Sequence, residues 1–134
     1  VLHTGDIAYY EGTWQAFEHY YFDIYGPLMR RVPFFPAPGN HDYVFEEGAP
    51  FVAVHDFPTA GVPAAGRGRY YSFDWSNAHF VSVDSNTPLR EAMDGSGELL
   101  RWLDADLAAT RQPFRIVYFH HTVFPTANYA GNPY

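Results

Sequence analysis

Short apolar runs, broken by turns rich in glycine and proline, set the pattern of this chain. Val1-Leu2-His3 is an extended run stopped by Thr4-Gly5-Asp6, as when a buried strand turns sharply at its carboxyl end. Trp14, Phe17, Tyr21, Ile24 and Leu28 then recur at alternating spacings of three and four, which predicts a helix with one aromatic face on a core. Thr13 is its expected N-cap and Gly26-Pro27 its break. The three prolines of Pro33-Phe34-Phe35-Pro36-Ala37-Pro38 forbid helix and demote a central strand. A short extended segment remains, ending at Gly39-Asn40-His41-Asp42.

Residues 48–68 lack regular periodicity and carry breaks at Pro58, Gly61, Pro63, Gly66 and Gly68, so they read as a long surface loop. Tyr70 to Trp75 and Ala78 to Asp84 alternate in strand fashion around Ser76-Asn77, predicting an antiparallel hairpin. Ser96-Gly97-Glu98 supplies a cap and an acidic first turn to a helix whose Leu99, Trp102, Leu103 and Leu107 share a face. That helix is expected to end near Gln112-Pro113, and a strand from Phe114 to Phe119 then delivers His120-His121. Strands alternating with helices, with polar residues at the strand exits, describe a layered α/β fold. Ligands of such folds sit outside the carboxyl ends of the strands.

With 47% apolar residues in 134, the chain has the material for one packed domain. Fifteen acidic against 8 basic residues give a net charge of −7, and no basic run is present to displace counterions from nucleic acid or anionic lipid. Cysteine is absent, which excludes disulfide scaffolds, thiolate metal sites and cysteine nucleophiles. No apolar run approaches the roughly 18 residues of a membrane span, and no basic leader precedes a small-residue cleavage site. The chain opens in mid-strand without Met, so it is expected to be a piece of something longer. Nothing in the pattern speaks to oligomeric state.

Three clusters lie at the exits of extended runs: Gly5-Asp6-Ile7-Ala8-Tyr9, Gly39-Asn40-His41-Asp42 and His120-His121. Their oxygen and imidazole donors suit hard or borderline cations such as iron, manganese or zinc. Glycine before Asp6 and Asn40 allows a tight turn that aims each side chain into a shared crevice. Consecutive residues leaving a strand face opposite ways, so one of His120 and His121 is expected to enter the site. Tyr9 is open to two readings, a ligand or a packed aromatic, with Tyr10 beside it. His3, His19, His55 and His79 read as ordinary strand, helix and loop residues, and Glu46-Glu47 and Asp104 with Asp106 as solvated surface. Nothing marks the enclosed sugar cleft that paired glycosidase carboxylates need.

Gly5-Asp6 with Tyr9, Gly39-Asn40-His41-Asp42 and a strand followed by His120 together resemble the calcineurin-like metallophosphoesterases. The Tyr9 spacing resembles their purple acid phosphatase branch. Tyr70-Tyr71-Ser72-Phe73-Asp74 and Leu103-Asp104-Ala105-Asp106-Leu107 are similar to segments between those motifs, so the likeness runs over nearly the whole chain. It implies a partial four-layer α/β/β/α sandwich as a single catalytic domain, residues 1–134, truncated at both ends. It also implies two metal ions about 3.5–4 Å apart, Fe³⁺ with Zn²⁺, Mn²⁺ or Fe²⁺.

By the same resemblance Asp6 bridges the metals and Tyr9 binds the ferric ion as phenolate. Asn40 and His120 bind the divalent ion, and His120 takes the place that the motif gives to one histidine of the pair. His41 hydrogen-bonds the transferring phosphoryl group or protonates the leaving oxygen, and Asp42 orients that imidazole or caps the following segment. The implied reaction is in-line attack of a metal-bound hydroxide on a small phosphate ester. The alternatives are a phosphodiesterase with two divalent metals and a packed Tyr9, or a scaffold that keeps the fold without catalysis. The family's Asp-x-His and Gly-His-x-His motifs do not occur in these residues, and His121-Thr122 stands where relatives often read His-Pro. The 134 residues alone are therefore expected to be inactive, to hold metal weakly and to leave a sheet edge open. Relatives with this tyrosine are often exported, which makes export the expectation for compartment.

Overall fold

The structure, a computed structural model, describes residues 1–87 and 97–122. The N-cap expected at Ser96 lies outside them. Strand β1 (Leu2–His3) pairs in parallel with β2 (Phe35–Pro36), in the register Leu2 to Phe35 and His3 to Pro36. Proline is tolerated there because the neighbouring amides carry the ladder: Phe35 N–H donates to the Val1 carbonyl at 2.9 Å and Ala37 N–H to that of His3 at 2.8 Å. The first run is less buried than its apolar character predicts, since Val1 and Leu2 are exposed.

The second sheet has the order β3-β4-β5. Strands β3 (Tyr71–Trp75) and β4 (Ala78–Ser82) form the expected antiparallel hairpin, with Ser76 in the left-handed region at φ 55. Strand β5 (Phe114–Tyr118) runs parallel to β4. The two sheets are joined by hydrogen bonds to β2: Tyr71 Oη donates to the Pro36 carbonyl at 2.9 Å and Tyr118 Oη to that of Phe35 at 3.1 Å. Phe35 stacks on Phe73 with centroids 4.0 Å apart.

Helices flank both sheets. On the β1/β2 side, α1 (Trp14–Phe17), a π-helical stretch (Glu18–Phe22) and α2 (Asp23–Met29) form one helical run. Thr13 caps it as expected, accepting from the Ala16 amide at 3.2 Å. Phe17 and Tyr21 enter the core, but Trp14, Ile24 and Leu28 are exposed. The π stretch, with its i to i+5 bonding, rotates the downstream face, so Tyr25 and Met29 pack inward in their place. Pro27 does not break the run but lies inside α2.

Residues 48–68 are not an unstructured loop. They contain α3 (Ala49–Val54), which starts with Pro50 in its first turn and buries Phe51. Six residues are too few to display a helical repeat, and proline at a helix start mimics a break. Across the second sheet, α4 (Glu98–Ala109) packs Leu99 and Trp102 on Val81 and Val83. It ends three residues before the expected stop. The layers run helix, β1/β2, β3–β5, helix: a mixed α/β sandwich. No helix among the described residues is long and apolar enough to cross a membrane.

Candidate metal centre

Parallel pairing of β1 with β2 places their carboxyl ends side by side, so the turns leaving them touch. The contact is close enough to demand glycine. A Cβ on Gly39 would lie 2.2 Å from Asp6 Oδ1, and one on Gly5 would lie 2.7 Å from the Gly39 nitrogen and 2.9 Å from His120 Nδ1. Asp6 itself sits at φ 56, a conformation that aspartate adopts more readily than most residues. The His41 amide donates to Asp6 Oδ1 at 3.0 Å, tying the second turn to the first.

Asp42 completes the tie from below. Fully buried, its Oδ1 accepts from the Ile7 and Ala8 amides at 2.9 and 3.0 Å, and its Oδ2 accepts from Gly39 N–H at 2.8 Å. Burial pushes its carboxyl group up from the usual carboxylate range, while these three N–H groups pull it down. It neither orients the His41 ring nor caps the segment that follows; it staples the two turns. The ring of His41 is held instead by the Tyr10 carbonyl, 2.7 Å from Nδ1.

The third contribution comes from β5. His120 Nδ1 lies 2.9 Å from the Thr4 carbonyl, while Nε2 lies 3.1 Å from Asn40 Oδ1 and 3.4 Å from Asp6 Oδ1. Oxygens therefore face both ring nitrogens. His120 Nε2, Asn40 Oδ1 and Asp6 Oδ1 converge from three strand exits, the place where a cation could stand in for a shared proton, and a backbone carbonyl facing the other ring nitrogen is the usual support of a metal-binding histidine.

Tyr9 stands at the rim. Its hydroxyl donates to Asp6 Oδ2 at 2.6 Å, and that bond to a carboxylate pushes its pKa up to about 12. Its ring lies 4.5 Å from that of His41, on the exposed side of the turn rather than in the aromatic core. Asp6, Tyr9, Asn40, His41, His120 and His121 line one crevice of about 520 Å³. His120 and His121 both reach it, but His121 pairs with Ser85, its Nδ1 being 2.8 Å from Oγ.

The loop after β4 brings in residues that the sequence reading passed over. Asp84, fully buried, accepts from the Asn86 amide at 3.0 Å, from Thr87 Oγ1 at 2.7 Å and from the Tyr43 hydroxyl. Asn86 Nδ2 in turn donates to the Gly39 carbonyl at 3.4 Å. The signal available was position alone: Asp84 stands at a strand exit, as Asp6 and Asn40 do.

The remaining histidines stay outside the crevice. His19 is exposed beside Asp23, and His55 lies in the aromatic core among Phe17, Tyr21 and Phe57. His3 accepts from the Gly5 amide at 3.3 Å. His79 is clamped between Asp74 and Asp106 at 2.7 and 2.8 Å. Asp106 is therefore not solvated surface; it also accepts from Ser72 Oγ at 2.8 Å. Among the described residues no three His, Cys, Asp or Glu side chains are placed to hold a metal ion by themselves. The donor set at the crevice depends on the Asn40 amide oxygen and the Tyr9 phenol. It is all oxygen and nitrogen, which fits a hard or borderline cation.

Comparison with known proteins gives the family. A family model for the calcineurin-like phosphoesterases matches residues 1–134. A protein of Arabidopsis thaliana named "Probable inactive purple acid phosphatase 9" is 25% identical over 157 aligned residues, which cover 95% of this chain. The chain spans 23% of that relative's length.

Proposed function

The chain belongs to the calcineurin-like phosphoesterase family, and from that premise we propose that its crevice hydrolyses small phosphate esters with two bound cations, Fe³⁺ and a divalent Zn²⁺, Mn²⁺ or Fe²⁺. Asp6 and Tyr9 would hold the ferric ion, the tyrosine as phenolate, and Asp6, Asn40 and His120 would hold the divalent one. When bound, such a pair neutralises phosphoryl charge and activates water at neutral pH. Every other part belongs to the chain. Tyr9 would give up the proton it shares with Asp6 Oδ2 to act as a ligand. His41 Nδ1 lies 2.7 Å from the Tyr10 carbonyl, which leaves Nε2 as the nitrogen for the substrate; the doubly protonated ring would give its Nε2 proton to the ester oxygen as it departs.

The observation that carries this reading is the meeting of His120 Nε2 with Asn40 Oδ1 at 3.1 Å and Asp6 Oδ1 at 3.4 Å. The test is hydrolysis of an aryl phosphate by the metal-loaded protein, abolished by Asp6→Asn and by Asn40→Ala. Hydrolysis that survives both changes overturns it. The relative's own name, "Probable inactive", favours a second reading, a fold kept without catalysis. That reading wins if metal binds and no phosphate ester turns over. The proton held on Tyr9 favours a third variant, two divalent ions acting on a diester with Tyr9 unligated. Visible absorbance of the iron-loaded protein separates these, because a tyrosinate–ferric pair is coloured and Tyr9→Phe bleaches it.

A further inference from the structure

Beside the crevice lies a second cleft, of about 430 Å³, between the turn after β1 and the first turns of the helical run. Tyr9, Tyr10, Glu11, Gln15, His19 and Tyr20 line it. Tyr9 borders both spaces. Its ring meets His41 on one side, and Tyr10 stands across it at 80° with centroids 5.4 Å apart. Tyr9, Tyr10 and Tyr20 are 40%, 73% and 41% exposed, a concentration of aromatic surface in water that marks a binding site.

The electrostatics of the cleft have one sign. Perpendicular rings form a corner with electron-rich faces, which attract a cation and repel an anion. Glu11 adds a carboxylate, no Lys or Arg among the described residues lines the space, and the chain carries −7 overall. His19, also on the lining, has the Asp23 carboxylate 3.7 Å away.

Position says which part of a substrate reaches this cleft. His41, the group that protonates the leaving oxygen, has Tyr9 and Tyr10 as ring neighbours at 4.5 and 6.4 Å. The departing alcohol therefore leaves on the tyrosine side. We propose that the cleft is the leaving-group subsite of the crevice and takes the positive end of a phosphorylated amino alcohol, a quaternary or primary ammonium. This rests on the phosphate-ester reading above. In the reaction the oxygen of a water bonds to phosphorus and releases a proton to solvent, the ester P–O bond breaks, the Nε2 proton of the doubly protonated His41 ring passes to the ester oxygen, and the amino alcohol departs with its charge still against the rings.

Two non-hydrolysable probes of one shape test it: trimethylammonioethyl phosphonate and its neutral isostere, tert-butylethyl phosphonate. Titration calorimetry on the metal-loaded protein reads binding without turnover. The cationic probe binds about tenfold tighter than the neutral one. Tyr20→Leu and Glu11→Gln each shrink that ratio below about threefold, with the affinity for inorganic phosphate unchanged. Equal affinity of the two probes for the native protein, or a ratio that neither substitution moves, overturns the subsite and leaves the phosphoester reading standing. Failure of both probes and of inorganic phosphate to bind overturns the two together.

Discussion

His120 spans the turn of β1 and the turn of β2, with Nδ1 2.9 Å from the Thr4 carbonyl and Nε2 3.1 Å from Asn40 Oδ1. One ring thereby reports on the geometry of both turns. Removing it deletes a donor without disturbing the core, since the side chain lies at the rim. His120→Ala is expected to weaken Zn²⁺ binding by at least about tenfold, read by competition with a chromogenic chelator. An unchanged affinity excludes the ring from the centre.

Asp42 answers to stability rather than to metal. Its carboxylate is the partner of the Ile7, Ala8 and Gly39 amides, and those three residues are buried. Asp42→Ala strands the donors at about 1–3 kcal/mol each, so urea denaturation is expected to show a loss of roughly 3 kcal/mol or more. Asp42→Asn keeps one accepting oxygen and is expected to fall between. Wild-type stability in the alanine variant rules out the staple.

Much of this was legible in the chain because local chemistry and tertiary need coincide. Gly39 stands where a side chain would strike Asp6, Thr13 caps the helix it precedes, and the alternation around Ser76-Asn77 reads as a hairpin because one face packs on β2 and the other on α4. What the sequence hid depends on partners distant along the chain. The π stretch at Glu18–Phe22 moves Ile24 and Leu28 off the core with no local signature. His79 and Asp106 are 27 residues apart and meet only when α4 lies across β4. The Thr4 carbonyl, which faces Nδ1 of His120, is backbone and leaves no side-chain pattern to find.

His55 is expected to make the fold acid-sensitive. Its Nδ1 lies 2.8 Å from the Phe51 carbonyl and its Nε2 3.2 Å from Tyr21 Oη, partners that the neutral ring satisfies without a buried charge. Burial lowers its pKa to about 4, well below the ordinary histidine value. The unfolded chain therefore binds the proton first as pH falls. The stabilisation is complete above about pH 6.5 and is lost on the way down to about pH 4, with a ceiling of about 3 kcal/mol. Unfolding midpoints of the native protein should drop more steeply over that range than those of His55→Phe. Parallel curves remove His55 as the cause.

His79 runs the other way. Burial alone lowers its pKa, but hydrogen bonds to Asp106 and Asp74 outweigh it and leave the net shift upward. Carboxylates on both ring nitrogens at 2.8 and 2.7 Å call for the doubly protonated ring. A raised folded pKa gives stability that is whole below about pH 6.5 and declines as pH climbs through the folded value. As pH rises above about 6.5 the native protein should lose stability that His79→Gln does not. Chemical denaturation at several pH values measures the slope, and an equal slope in both proteins defeats the assignment.

Gly39→Ala tests whether the closeness of the two turns makes the site. The added Cβ meets Asp6 Oδ1 at 2.2 Å and the Asp6 backbone nitrogen at 2.3 Å. A side-chain rotation relieves the first contact but not the second, so the β1 turn itself has to withdraw from β2. Asp6 then shifts relative to Asn40 and His120, and displacements of this kind are costly to an oriented donor set. Zn²⁺ affinity is expected to fall by at least about tenfold. Gly26→Ala is the control: it lies in a helix with nothing within 4 Å of its Cβ. There, the change should leave metal binding alone and stabilise the fold by up to about 1 kcal/mol. Native metal affinity in Gly39→Ala means that the turns can separate without dismantling the centre, which the placement of Asp6 against Gly39 forbids.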